Sequence, residues 1–412
     1  MQAMDTEAKL ALVSDQMHLE PAEETGATGR VVAPCGFAPD ELRNVVESGA
    51  ASASLEAKKN SLGLYDAVAP GGKRVTLLKT LLTSACERDC YYCPFRAKRN
   101  YRRATFKPEE MAQAFHQMFD AGMAQGLLLS SGVAGGGVRT QDRLIATAEI
   151  LRRKLNYTGY LHLKIMPGAE REQVFRAMQL ADRISINLEA PNANRLTGLA
   201  PHKNFAEELL RPLQWAEEIR KSQPARLGWN GRWPSTVTQF VVGAVGENDV
   251  EILSTSAYLI QQLRLTRTYY SAFSPVPDTP LDNHAPENPW REHRLYQASF
   301  LLRDYQFEME EMPFTRDGNL PLDVDPKMAW ARAHLTEHPT EVNHAERNEL
   351  LHIPGIGPKG ADAILSARRR GHLRDWRDLE KLGIAASRAA PFVLLDGRRP
   401  PHQLSLWSVP TS

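Results

Sequence analysis

Between residues 74 and 276 the chain alternates short apolar runs with longer segments of helical period. Six runs read as strands: "RVTLLKTLLTSAC", "LLLSSG", "GYLHLKIMPGA", "DRISINLEA", "TVTQFVVGAV" and "TRTYYSAFSPV". Between them lie helical stretches such as "PEEMAQAFHQMFDAGMAQG", "TQDRLIATAEILRRKL" and "EREQVFRAMQLA". Strand-helix alternation of this kind predicts a parallel sheet with right-handed crossovers, curled into a complete or partial (β/α) barrel. In such barrels the chemistry gathers where the strands end. The segments at those ends are 86–93, "SSGV" (130–133), "KIMPG" (164–168), "NLEAPN" (187–192), "VGAVGEND" (242–249) and "SPVPDTP" (274–280). A Pro-Gly-Gly at 70–72 predicts a turn ahead of the first run.

At 412 residues the chain exceeds what one core usually organises, so one large domain with appendages is expected. Its net charge of +1 excludes a global field for nucleic acid or membrane and leaves only local patches. Those patches exist. Residues 1–60 hold five Lys/Arg against ten Asp/Glu, while residues 350–412 hold ten against five. We read 1–60 as an extension, partly disordered, 61–335 as the barrel, and 341–398 as a separate basic module. No run approaches a membrane span, and the N-terminus has acids where a signal peptide carries bases, so a soluble, cytoplasmic protein without membrane contact is expected. Few, unevenly placed cysteines fit a reducing compartment.

Three of the four cysteines fall within "CERDCYYC" (86–93), and the fourth is Cys35. A closed zinc site takes four protein ligands, so three thiolates point either to a zinc ion completed by a His such as His116, or to three corners of a [4Fe–4S] cluster with one iron left open. A fourth thiolate from Cys35 would close that iron, which leaves Cys35 outside the set. The spacing Cys86-x3-Cys90-x2-Cys93 after a first barrel strand, with Tyr92 before the last cysteine, is identified as the signature of the radical S-adenosylmethionine (SAM) superfamily.

That resemblance implies a radical SAM (β/α) barrel whose open iron chelates SAM and cleaves it to a 5′-deoxyadenosyl radical. It implies metal ligands Cys86, Cys90 and Cys93. It further implies cofactor contacts from Tyr92, from Ser130, Ser131 and Gly132 for the methionyl amino group, from Asn187 and Glu189 for the ribose, and from Val242 and Gly243 beside the adenine. Glu189 has structural alternatives, as a helix cap or a partner of Arg195. An electron donor such as flavodoxin or ferredoxin follows from the same resemblance.

Directly after the cysteines, "FRAKRNYRRATFK" (95–107) carries six Lys/Arg and no acid among Phe95, Tyr101 and Phe106. Such a stretch suits a phosphate backbone with stacked bases, or else a solvated loop that screens the cluster. Farther on, "ERNELLHIPGIGPKGADAILSARRRG" (346–371) resembles a helix-hairpin-helix module, a small all-α domain in which Gly355 and Gly357 allow a backbone anion site with Lys359, Arg368, Arg369 and Arg370 around it. "DLEKLGIAASRAAPFVL" (378–394) reads as a degenerate second copy. Over residues 60–395 the chain resembles the radical SAM proteins assigned to DNA modification or repair, whose genes accompany a uracil-DNA-glycosylase-like partner. The resemblance implies DNA, or RNA, as substrate; Tyr269, Tyr270, Arg291, Glu292 and His293 are the candidates for substrate contact or hydrogen transfer. The alternatives are action on a small molecule and a non-enzymatic DNA-binding iron–sulfur protein.

Overall fold

A computed structural model describes residues 4–17, 62–68 and 74–401. Cys35 and most of the N-terminal extension lie outside the described residues. The chain divides into two compact units, one holding the described residues up to His293 and one holding those from Arg294 onward. Segment 294–335, expected with the barrel, therefore goes with the C-terminal unit.

The first unit is built on one seven-stranded sheet in sequence order. Its strands are β1 (Leu64–Val68), β2 (Arg74–Leu81), β3 (Gly126–Ser130), β4 (Tyr160–Lys164), β5 (Arg183–Ser185), β6 (Ser235–Val242) and β7 (Arg267–Ala272). β1 and β2 form an antiparallel hairpin, and every later pair is parallel. Among the described residues β7 pairs only with β6, so the sheet curls as a half-barrel and stays open. The Pro-Gly-Gly expected as a turn (70–72) lies outside the described residues, and the strand before it, "LYDAV", adds a seventh strand to the six expected.

The two faces of this sheet differ in chemistry. Leu78, Leu127, Leu129, Leu161, Leu163, Ile184, Phe240 and Tyr270 alternate on one face and are buried. The opposite face carries Lys79, His162, Lys164, Arg183, Ser185, Gln239 and Tyr269 at the intervening positions. The helices are α1 (Thr6–Met17), α2 (Pro108–Asp120), α3 (Gly137–Glu149), α4 (Arg171–Leu180), α5 (Ala193–Leu199), α6 (Arg211–Ser222), α7 (Asp249–Leu263) and α8 (Pro289–Asp304). Helix α1 replaces the disorder expected near the N-terminus: it buries Leu10, Val13 and Met17, and Lys9 meets Glu110 of α2 at 2.7 Å. Start signals are local. Helix α7 begins with a capping box in which the Asn248 side chain accepts from the Glu251 N–H and Glu251 accepts from the Asn248 N–H, both at 3.0 Å.

The second unit is small and mainly helical. It contains α9 (Pro326–His334), α10 (Arg347–His352), α11 (Pro358–Ala367), α12 (Trp376–Lys381) and α13 (Ala386–Ala389), with a short parallel pair of β8 (Thr340–Glu341) and β9 (Val393–Leu394). Leu350, Leu351, Ile356, Ala361, Ile364, Leu379, Ile384 and Val393 share its core. The turns joining α10 to α11 and α12 to α13 match position for position: Gly355 and Gly383 have φ of 86° and 75°, and the next residues, Ile356 and Ile384, are both buried. Gly355 faces the second turn, where a Cβ would sit 2.6 Å from the Ala385 carbonyl oxygen. The repeat inferred from the sequence is present as two matching turns.

Candidate active site

Cys86, Cys90 and Cys93 follow β2, and all three, outside any disulfide, line one pocket. Tyr92, Ser130, Ser131, Gly132, Lys164, Asn187, Glu189 and Lys203 line it with them. The floor is therefore assembled from the ends of β2, β3, β4 and β5, as the alternation required. Gly132 is needed there: a Cβ on it would lie 2.3 Å from the Ala85 carbonyl oxygen. Its N–H donates to Thr83 at 2.7 Å, and Glu87 N–H donates to Val133 at 2.8 Å, so the cysteine loop and the loop after β3 are stitched together. The Glu87 carboxylate adds to this by accepting from the N–H groups of Gly135 (3.0 Å) and Gly136 (3.1 Å), both at positive φ. The "AGGG" segment (134–137) thus serves as a seat for the acid inside "CERDCYYC".

Arg88 fastens the other side. Its guanidinium donates to the His202 carbonyl and the Glu208 carboxylate, each at 2.5 Å, and Asp89 meets His202 at 2.8 Å. Glu208 sits in a π-helical stretch, Phe205–Leu210, that leads into α6. Widened turns of this type recur beside functional sites.

The deepest charge in the pocket is Lys203. It meets Glu189 at 2.9 Å, with both side chains buried. Burial alone would lower the Lys203 pKa, but the charges of Cys90 and Glu189 outweigh it and hold the ammonium above its ordinary range. Burial raises the Cys90 thiol, against the pull of the Lys203 charge. Glu189 itself has φ of 66°, a conformation that costs energy for a residue with a Cβ. Its backbone compensates by bridging to β6, accepting from Val241 at 2.8 Å and donating to Gln239 at 3.0 Å. Arg195 is not its partner: Arg195 pairs with Glu251 at 2.9 Å. Asn187 accepts from Lys164 at 2.7 Å and donates to Gln239 at 3.2 Å, so a polar chain crosses three adjacent strands beneath the cysteines.

The donor set fits a cluster better than a single ion. Among the described residues no three His, Cys, Asp or Glu side chains converge on one metal position, whereas the corners of a cubane take their thiolates on separate irons. His116, the expected completing ligand for zinc, lies on α2 and faces Asp120 at 3.4 Å. A family model of the radical SAM superfamily matches residues 80–258. Residues 80–258 are a radical SAM domain. The cofactors of such a domain are a [4Fe–4S] cluster and SAM.

Among solved structures the chain resembles methylornithine synthase (PylB), at 15% identity and TM-score 0.44, over 57% of this chain and 64% of that one. It also resembles the FeFe-hydrogenase maturase HydG from Carboxydothermus hydrogenoformans, at 14% identity and TM-score 0.44, over 55% of this chain and 51% of that one. A third is the radical SAM methyltransferase TsrM from Kitasatospora setae, at 14% identity and TM-score 0.36, over 50% of this chain and 38% of that one. The radical SAM domain here thus spans less than two thirds of each of these proteins. No curated protein sequence matches the chain.

The structure brings Cys86, Cys90, Cys93, Tyr92, Ser130, Ser131, Gly132, Asn187 and Glu189 to one pocket and leaves the other expected residues outside its lining. Val242 is fully buried as the last residue of β6, and in the turn after it the Gly243 N–H is taken by the Glu247 carboxylate. Tyr269 is buried in the sheet and accepts from Arg183 at 3.2 Å; Tyr270 is buried between Phe240 and α7, bonded to Ser256 at 2.9 Å. Arg291 joins Asp249 (2.8 Å) to Glu287 (2.6 Å), and Glu292 accepts from the Ala272 N–H at 2.8 Å. His293 packs edge-on against Trp290 with ring centroids 5.5 Å apart. These five side chains brace the end of the sheet. Lys203, Lys164 and Glu87 were missed. Glu87 stands inside the cysteine motif and Lys164 at a strand end, where the sequence gives neither a role, and Lys203 sits in a loop, "PHKNF", with nothing in its neighbourhood to mark it.

Proposed function

We propose that this protein cleaves SAM reductively and uses the resulting radical to modify or repair DNA, with the C-terminal unit bringing the nucleic acid. The observation that carries the first half is three cysteines, none in a disulfide, lining one pocket with the strand-end loops. Cys86, Cys90 and Cys93 would hold the cluster, which when bound supplies the electron for SAM cleavage. The chain's own part is positioning. Glu87 and Arg88 fix the cysteine loop against its neighbours, Ser131 and Gly132 offer backbone to an amino group, and the buried Lys203 supplies positive charge beside Cys90 and Glu189. With Lys203 on one oxygen, Glu189 offers its other oxygen to the ribose hydroxyls.

The matched turns of the C-terminal unit support the second half, because a paired helix-hairpin-helix presents backbone N–H groups to phosphate. Gly357 caps α11, whose first residue is Pro358, and Lys359 follows it. A uracil-DNA-glycosylase-like partner would fit the same reading. The test uses anaerobic, reduced protein with SAM and duplex DNA. The reading expects 5′-deoxyadenosine without DNA, faster release with DNA, and weaker DNA binding by Gly357→Val. DNA affinity unchanged in Gly357→Val across several salt concentrations would remove the nucleic-acid half and leave a small-molecule substrate.

A further inference from the structure

Residues 96–107 form a strap over the cysteine loop, and its six cations divide into two sets. Arg96, Arg99 and Arg103 turn inward onto backbone carbonyls. Arg96 donates to Cys90 at 3.2 Å and Asp89 at 3.3 Å, and Arg99 donates to Pro94 at 3.0 Å and Pro277 at 2.9 Å. Arg103 donates to Ser84 (3.1 Å), Phe95 (3.3 Å), Arg96 (3.0 Å) and Arg99 (3.3 Å), with its guanidinium over the Tyr101 ring. Phe95 and Phe106 are buried at its two ends. The strap is therefore rigid and bonded directly to the carbonyl of one cysteine.

Lys98, Arg102 and Lys107 make up the other set. They are exposed, and among the described residues none is in an ion pair. Of the acids nearest in sequence, Asp89 is engaged with His202 and Glu110 with Lys9, while Glu109 is exposed two positions after Lys107. Lys98 has φ of 68°, held by the arginine bonds on either side of it. Three exposed cations on a strap that is bonded to the Cys90 carbonyl complement an acidic macromolecule, and complementarity of this kind raises association rate and sets orientation.

We propose that this strap is the docking face for the reductant, an acidic electron-transfer protein of flavodoxin or ferredoxin type. The proposal rests on the radical SAM reading above. In the step it serves, one electron leaves the donor, which is oxidised, and enters the bound cluster, which is reduced; no bond forms or breaks and no proton moves. Arg96 gives the donor a short hydrogen-bonded route, since it spans from the strap to the Cys90 carbonyl.

The test compares the full-length, cluster-loaded protein with a Lys98→Glu/Arg102→Glu/Lys107→Glu variant, using a purified flavodoxin. Titration should show flavodoxin binding weakened at least about tenfold at low salt, because three exposed pairs of modest strength become repulsive, with the gap closing as salt rises. Flavodoxin-driven release of 5′-deoxyadenosine should fall in parallel, while release driven by dithionite, which needs no docking, and affinity for duplex DNA should stay unchanged. Equal flavodoxin affinity in the two proteins overturns the proposal. So does a loss of DNA affinity with flavodoxin binding intact, which would make the strap a phosphate-binding surface. If dithionite releases no 5′-deoxyadenosine from the unsubstituted protein, the radical SAM reading fails instead, and the binding titration shows that failure to be a separate one.

Discussion

Two arginine-rich stretches, 96–103 and 368–370, look alike as sequence and differ as structure. In the first, three arginines are drawn inward because the loop around the cysteines has little secondary structure and many carbonyls lacking ladder partners, which five-donor guanidinium groups can satisfy together. In the second, the arginines follow a helix, where only a few carbonyls are left over. Arg368 takes those of Ala345 (2.6 Å) and Val342 (3.3 Å), and Arg369 and Arg370 remain exposed. A run of positive charge therefore predicts a surface only where the backbone beneath it is already satisfied. Arg368, expected on phosphate, belongs with the internal set.

That contrast can be broken by substitution. The largest effect is expected at Arg103: Arg103→Ala strands several carbonyls of the strap and should cost on the order of 3 kcal/mol in thermal unfolding, whereas Arg102→Ala should stay within about 0.5 kcal/mol. Equal effects would mean that the inward bonds contribute nothing. Next comes Gly355→Val, where a positive φ and the Ala385 carbonyl both oppose a side chain; a loss of about 2 kcal/mol is expected. Gly357→Ala, at φ of −102° with the Tyr305 hydroxyl 3.2 Å from the new Cβ, should cost less than about 1 kcal/mol. Arg368→Ala should lower stability by about 1 kcal/mol with no change in the salt dependence of DNA binding. The smallest effect separates its neighbours: Arg370→Ala should leave stability alone and reduce the slope of log affinity against log salt by about 0.9 on duplex DNA.

The architecture was legible where periodicity is strong. Six parallel strands, the ring of loops at their ends and the paired turns of the C-terminal unit all follow from runs such as "GLLLSSG" and "HIPGIGPKG". Strand β1 escaped because its five residues precede a Pro/Gly-rich stretch of sequence and carry no alternation beyond Leu64 and Ala67. The pocket was legible in its thiols and strand-end residues, which sequence spacing places together. Its electrostatics were not. Lys203 reaches Glu189 from a loop 14 positions on, and Lys164 reaches Asn187 from the neighbouring strand, contacts set by strand register and loop path that no local motif announces. Of the expected substrate-contact set, Arg291 and Glu292 are polar residues near a strand end that engage Asp249 and the Ala272 N–H and do not line the cysteine pocket.

The central claim is that Cys86, Cys90 and Cys93 alone hold a cluster with an open iron. Iron content and 5′-deoxyadenosine release, measured anaerobically on the same preparations of the unsubstituted protein, Cys90→Ala and Cys35→Ala, test it most directly. The account predicts about four irons per chain and SAM cleavage in the unsubstituted protein and in Cys35→Ala, and neither in Cys90→Ala. Iron and cleavage retained by Cys90→Ala, or lost in Cys35→Ala, would contradict it.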